Sequence, residues 1–163
     1  MHAKVLKYAV APDGPRPPWT GEHPAWGDPL QTESAPAWPD IEAAIRRLDG
    51  RHYRHLLLFP SADEREQDPN PGEHEFLSVI GGNGVYLLSV SFKDGREHLL
   101  HFPHLPAKEV IVLPDASGAG YVDEAFTEAA CRVCRDVEVV VRAVRHYAEH
   151  GRLDPSLTWE TLD

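Results

Sequence analysis

The stretch FLSVIGGNGVYLLSVSFKDGREHLLHF, residues 76–102, decides the architecture. Phe76–Ile80, Val85–Phe92 and Arg96–Phe102 read as strands, and the pairs Asn83-Gly84 and Asp94-Gly95 separate them. Asn-Gly and Asp-Gly tolerate the positive φ that two-residue type I′ hairpins demand, so the three segments form an antiparallel meander. With both turns taken as two-residue loops, Val79 pairs with Leu88 and Val90 with Leu99. That register puts Leu77, Val79, Tyr86, Leu88, Val90, Phe92 and Leu99 on one core-facing side.

Outward from the meander, the spacing predicts a helix over 39–48. Pro39 suits its first turn, Ile41, Ala44, Ile45 and Leu48 fall on one stripe, Arg46 and Arg47 sit near its end, and Gly50 stops it. The unbroken apolar run His55–Phe59 predicts a strand buried on both faces, closed by Pro60. A further strand is expected at Glu109–Leu113, before the loose PDASGAG. A second helix is expected from Asp136, a suitable N-cap, to His150, with Val137, Val140, Val141, Val144, Tyr147 and Ala148 on one stripe and Gly151 as its stop. Residues 121–135 suit helix or strand equally. The expected fold is therefore one α+β domain spanning 1–163: an antiparallel sheet of five or six strands with both helices on one face.

Composition sets bounds on function. A chain of 163 residues with 42% hydrophobic residues can bury a core without disulfides or a structural metal. No apolar run reaches the roughly 20 residues that cross a bilayer, and the start MHAKVLKYAV lacks a secretory pattern, so no membrane partner and a cytoplasmic location are expected. With 26 Asp and Glu against 16 Lys and Arg, the net charge of -10 repels nucleic acid and suits either a basic protein partner or plain solubility. Residues 12–39 hold eight prolines and three tryptophans, Trp19, Trp26 and Trp38; the N-terminal stretch 1–37 is expected to be irregular, pinned by its tryptophans or presenting them to a partner. Residues 61–75, SADEREQDPNPGEHE, carry six carboxylates, Asp63, Glu64, Glu66, Asp68, Glu73 and Glu75, against Arg65. Such a loop is a solvated surface or a docking surface for a basic partner.

Chemical motifs fail on geometry. The glycines of Gly81–Gly84 lead into a strand, whereas a phosphate cradle needs a helix N-terminus. His98, His101 and His104 are three apart; on a strand such residues diverge and do not share a metal. Cys131 and Cys134 are a lone pair, best read as small buried hydrophobes. No nucleophile elbow is present. These readings predict no catalytic residue, metal or cofactor. The competing readings are a small hydrolase or metal-dependent enzyme using surface histidines, and a ligand-binding structural domain.

The order of features from Trp38-Pro-Asp-Ile-Glu-Ala-Ala-Ile45 through the Phe76–Gly84 hairpin to His150-Gly-Arg-Leu-Asp-Pro-Ser-Leu-Thr-Trp159 resembles the first-numbered immunity-protein family of bacterial polymorphic toxin systems. The valine-rich helix followed by Gly151, Pro155 and the Trp159-Glu160 pair is the most telling part. The resemblance covers residues 38–160. It implies a cytosolic antidote, encoded beside a toxin of the nucleic-acid deaminase type, that binds and inactivates it without catalytic residues. Gly81, Gly84, Gly151 and Trp159 carry over as fold-defining positions. An acidic face can fill a toxin's basic groove as a phosphate mimic, so Asp63, Glu64, Glu66, Asp68, Glu73, Trp19 and Trp26 are the candidate toxin-binding residues.

Overall fold

In the computed structural model, which describes residues 1–10, 30–69, 73–114 and 125–163, the meander forms where expected. Strands β1 (Val5–Val10) and β2 (Leu30–Ser34) precede helix α1 (Trp38–Arg47), β3 (Tyr53–Phe59), β4 (Phe76–Gly82), β5 (Val85–Ser91) and β6 (Glu97–Leu100). Then follow β7 (Val110–Pro114), β8 (Ala125–Ala129), helix α2 (Val137–His150) and β9 (Trp159–Leu162). The main sheet has seven antiparallel strands in the order β2-β1-β3-β4-β5-β6-β9, rather than five or six, and β7 pairs with β8 in a separate two-stranded sheet.

The first hairpin follows the expected register, Val79 opposite Leu88, with Asn83 at φ 55° and Gly84 at φ 83°. The second does not. Phe92 N–H donates to Arg96 O at 3.0 Å and Gly95 N–H donates to Phe92 O at 3.2 Å, so the turn holds three residues, with Gly95 at φ 85°. The extra residue pairs Val90 with His98 and Ser89 with Leu99. A one-residue slip exchanges the faces of a strand, so Leu100 replaces Leu99 on the helix side.

Both helices cover that side. Ile41, Ala44, Ile45 and Leu48 of the α1 region and Val140, Val144, Tyr147 and Ala148 of α2 pack with Leu6, Leu56, Leu58, Leu77, Val79, Leu88 and Val90. α2 begins at Asp136, whose carboxylate accepts Glu138 N–H at 2.9 Å, and ends at Gly151 with φ 67°. On the reverse side Leu87 and Leu99 are buried with Leu113 of β7 and Val133. β3 is accordingly buried on both faces, as its apolar run implies.

The proline-rich segment is flanked by regular structure. β1 and β2 both lie within the stretch 1–37 expected to be irregular, β2 as an edge strand that neighbouring proline does not forbid. β1 lies between β2 and β3 despite Lys7, whose ammonium sits 5.6 Å over the Phe59 ring. The described part of the ambiguous stretch, 125–135, holds β8 and a short 3-10 turn at Ala130–Arg132. Trp19, Trp26 and the loop after Pro114 lie outside the described residues.

Candidate functional site

The acidic loop between β3 and β4 divides into carboxylates bound by the fold and carboxylates left exposed. Asp63 accepts Arg65 Nη2 at 2.7 Å and the Arg65 backbone N–H at 3.0 Å, capping the 3-10 turn Glu64–Glu66. The Arg65 guanidinium and backbone hold its carboxyl below the ordinary value. Glu66 accepts Lys93 Nζ at 3.2 Å, which fastens the loop to the β5–β6 turn and lowers its carboxyl similarly. Gln67 is buried, its amide donating to Ser61 O at 3.3 Å.

Glu75 forms the loop's far anchor. It meets His2 Nε2 at 2.9 Å and accepts the Tyr147 hydroxyl at 3.3 Å, tying β4, the N-terminal residues and α2 together. Burial, with the charge of Glu75 added, pushes the Tyr147 hydroxyl well above its ordinary value and keeps it a neutral donor. Glu64, Asp68 and Glu73 are exposed and have no ion-pair partner among the described residues. Of the five loop residues singled out from sequence, the structure thus commits Asp63 and Glu66 to local pairing and leaves three carboxylates on a loop held at both ends.

The four positions expected to define the fold, Gly81, Gly84, Gly151 and Trp159, sit in different surroundings. A Cβ on Gly81, at φ 119°, would meet Val85 O at 2.0 Å, and one on Gly151 would meet the His2 ring at 2.6 Å. A Cβ on Gly84 would meet nothing within 4 Å, so only its φ matters. Trp159 donates its indole N–H to Asp154 O at 3.0 Å and packs against the main core. Gly82, not singled out from sequence, is as constrained as Gly81: its Cβ would meet Gly50 N at 2.4 Å.

The histidines do not converge. His98 meets Thr161 Oγ1 at 3.0 Å, His101 Nδ1 lies 3.5 Å from Glu160, and His104 packs edge-on to Phe102. Thr161 and Glu160 are consecutive on β9 and face opposite sides, as do the histidines they meet. Among the described residues no three His, Cys, Asp or Glu side chains are placed to hold a metal. Cys131 and Cys134 are buried, and burial pushes the Cys134 thiol up.

Among the described residues, two open hollows concern the site. One, of about 250 Å³, lies between His101, Phe102, His104 and Leu157. The other, of about 180 Å³, lies where β1 and β2 meet α1, lined by Leu6, Tyr8, Glu33, Asp40, Ala44 and Arg47. There the Arg47 guanidinium stacks 4.6 Å from the Tyr8 ring and 4.5 Å from the Tyr53 ring. Sequence offered no signal for this groove, because its walls come from three separated elements.

No described helix is long and apolar enough to cross a membrane. What the described residues display is an α+β fold with exposed carboxylates between β3 and β4 and no converging metal ligands. The chain belongs to the immunity protein Imm1 family, whose model matches residues 31–161, from β2 into β9, and it is accordingly an immunity protein. No curated protein matches it.

Proposed function

We propose that this immunity protein neutralises a cognate toxin by occluding its active site, and that the toxin is a basic protein of the nucleic-acid deaminase type. The observation that carries this reading is the trio Glu64, Asp68 and Glu73, exposed and without an ion-pair partner among the described residues, between the contacts Glu66–Lys93 and Glu75–His2. A toxin that handles nucleic acid offers a positive groove, and exposed carboxylates close together in the chain can occupy it in place of phosphates. The net charge of -10 speeds the encounter and repels nucleic acid itself. Trp19 and Trp26 would add aromatic anchors to the same contact. Blocking a groove needs no metal, cofactor or turnover by the antidote, and it operates in the cytoplasm where the toxin's substrate lies.

The test is the triple variant Glu64→Lys, Asp68→Lys, Glu73→Lys, measured against the toxin domain encoded beside this chain. Exposed charges set association rate more than stability, so at low salt association should slow roughly tenfold or more, with a weaker salt dependence and a nearly unchanged melting temperature. Unchanged affinity at low salt would show that the loop is only a solvated surface.

A further inference from the structure

The geometry points to β2 as a docking edge: an extended segment of the partner adds to it as an eighth strand and places a lysine or arginine in the groove between Glu33 and Asp40. This rests on the reading of the partner as a basic toxin.

β2 lies at one edge of the main sheet and pairs regularly with β1, Leu6 opposite Glu33 and Tyr8 opposite Gln31. Ala35 N–H donates to Lys4 O at 2.8 Å, which sets the phase of the ladder. Gln31 and Glu33 therefore turn their backbone groups toward β1, and Thr32 and Ser34 turn theirs outward. No described residue takes up those outward groups. Natural sheets blunt such edges with charged side chains, lysine above all, or with proline, bulges or very short strands, and the one charge on β2, Glu33, turns away apolar strands but not a basic one. β2, LQTES, has no lysine, proline or bulge. The opposite edge, β9, is four residues long, and both oxygens of its Glu160 are gripped at 2.8 Å by Arg132 Nε and Nη2.

The side chains beside this edge select the occupant. Partners across a ladder share a face, so Glu33 and Gln31 lie on the helix side with Leu6 and Tyr8. Every second side chain of an added strand would point to that side, toward the groove. Its floor is apolar, Leu6 and Ala44, which suits the stem of a long side chain; Glu33 and Asp40 suit its charged head. Arg47 contributes the one positive charge, but it is spread over the tyrosine rings that hold it, leaving two carboxylates against one guanidinium. Main-chain pairing would give affinity, and the basic side chain would give register.

The probe is the toxin domain encoded beside this chain, tested against Thr32→Pro, Glu33→Lys and the triple loop variant, with amide hydrogen exchange followed by residue. Thr32→Pro removes an outward N–H and leaves the Gln31 and Glu33 bonds to β1 in place, a position where an edge strand tolerates proline. Thr32→Pro and Glu33→Lys should each weaken binding tenfold or more while melting within a few degrees of the parent. The Thr32 and Ser34 amides should exchange at least a hundredfold more slowly in the complex. If Thr32→Pro does not fold, Glu33→Lys and the exchange rates decide. Full affinity in the edge variants with unprotected amides, while the loop variant binds weakly, overturns the docking edge and leaves the occlusion reading standing. A toxin domain that does not bind the parent overturns both. Protection that grows with this protein's own concentration in the absence of toxin assigns the edge to a second copy and overturns the proposal.

Discussion

Two glycines of the central hairpin look alike in sequence and should behave differently when a methyl group is added. Gly84 has φ +83° and open space around its missing Cβ. Alanine there carries only the left-handed backbone penalty, roughly 1–2 kcal/mol. For a chain of 163 residues that lowers the melting temperature by roughly 2–8 °C. Gly81 has φ +119°, and its Cβ would sit 2.0 Å from Val85 O, well over an ångström inside van der Waals contact. The obstruction is backbone across a paired ladder, Gly81 opposite Tyr86 and Gly82 opposite Val85, so no side chain can swing away. Strain of about 1–3 kcal/mol for the backbone and a similar amount for overpacking make Gly81→Ala cost roughly 4 kcal/mol, a large part of the 5–15 kcal/mol that holds most domains folded. Urea denaturation followed by tryptophan fluorescence measures both, with an unchanged m-value showing that only stability moved. If the two alanine variants differ by less than about 0.5 kcal/mol, the close approach of Val85 O does not govern this position and the reasoning fails.

Asp154 is 6% exposed, accepts Ser156 N–H at 2.8 Å and the Ser156 hydroxyl at 2.6 Å, and lies 3.4 Å from Arg142. Burial opposes its charge, but these partners win and hold its carboxyl below the ordinary value. A depressed folded-state value means that its stabilisation is complete above the unfolded value of 3.8 and is lost as pH falls through the folded one. Asp154→Asn should therefore melt lower at neutral pH and lose less on acidification below pH about 4 than the parent, as thermal melts across pH will show. Titrating the toxin with the immunity protein should abolish toxin activity at a fixed molar ratio, unaffected by chelator; progressive silencing by a substoichiometric amount would point to chemistry by the antidote instead.

Helices α1 and α2 were legible because each carries one apolar stripe and recognisable ends, Pro39 and Gly50, Asp136 and Gly151. The first hairpin was legible because Asn83-Gly84 allows little else. Asp94-Gly95 misled because the same dipeptide also closes a three-residue loop, with Gly95 rather than the pair supplying the positive φ. β1 escaped because Lys7 and Tyr8 break the alternation of VLKYAV. β2 and β9 escaped because short edge strands need no core stripe. In the acidic loop, composition showed the charge but not its allocation. Glu66 meets Lys93 and Glu75 meets His2 across separations of 27 and 73 residues, which only the folded chain reveals.

The strand order has a consequence during synthesis. β4, β5 and β6 are neighbours in sequence and can pair as soon as they emerge, but β6 gains its outer neighbour only with β9, and His98 waits 63 residues for Thr161. At typical elongation rates that interval is roughly 3–12 s. Until then the backbone of β6 is an open edge on a growing chain, the kind of surface that recruits strands from other chains. Glu97 and His98, half-buried in the finished fold, are the polar residues that stand guard over it in that interval.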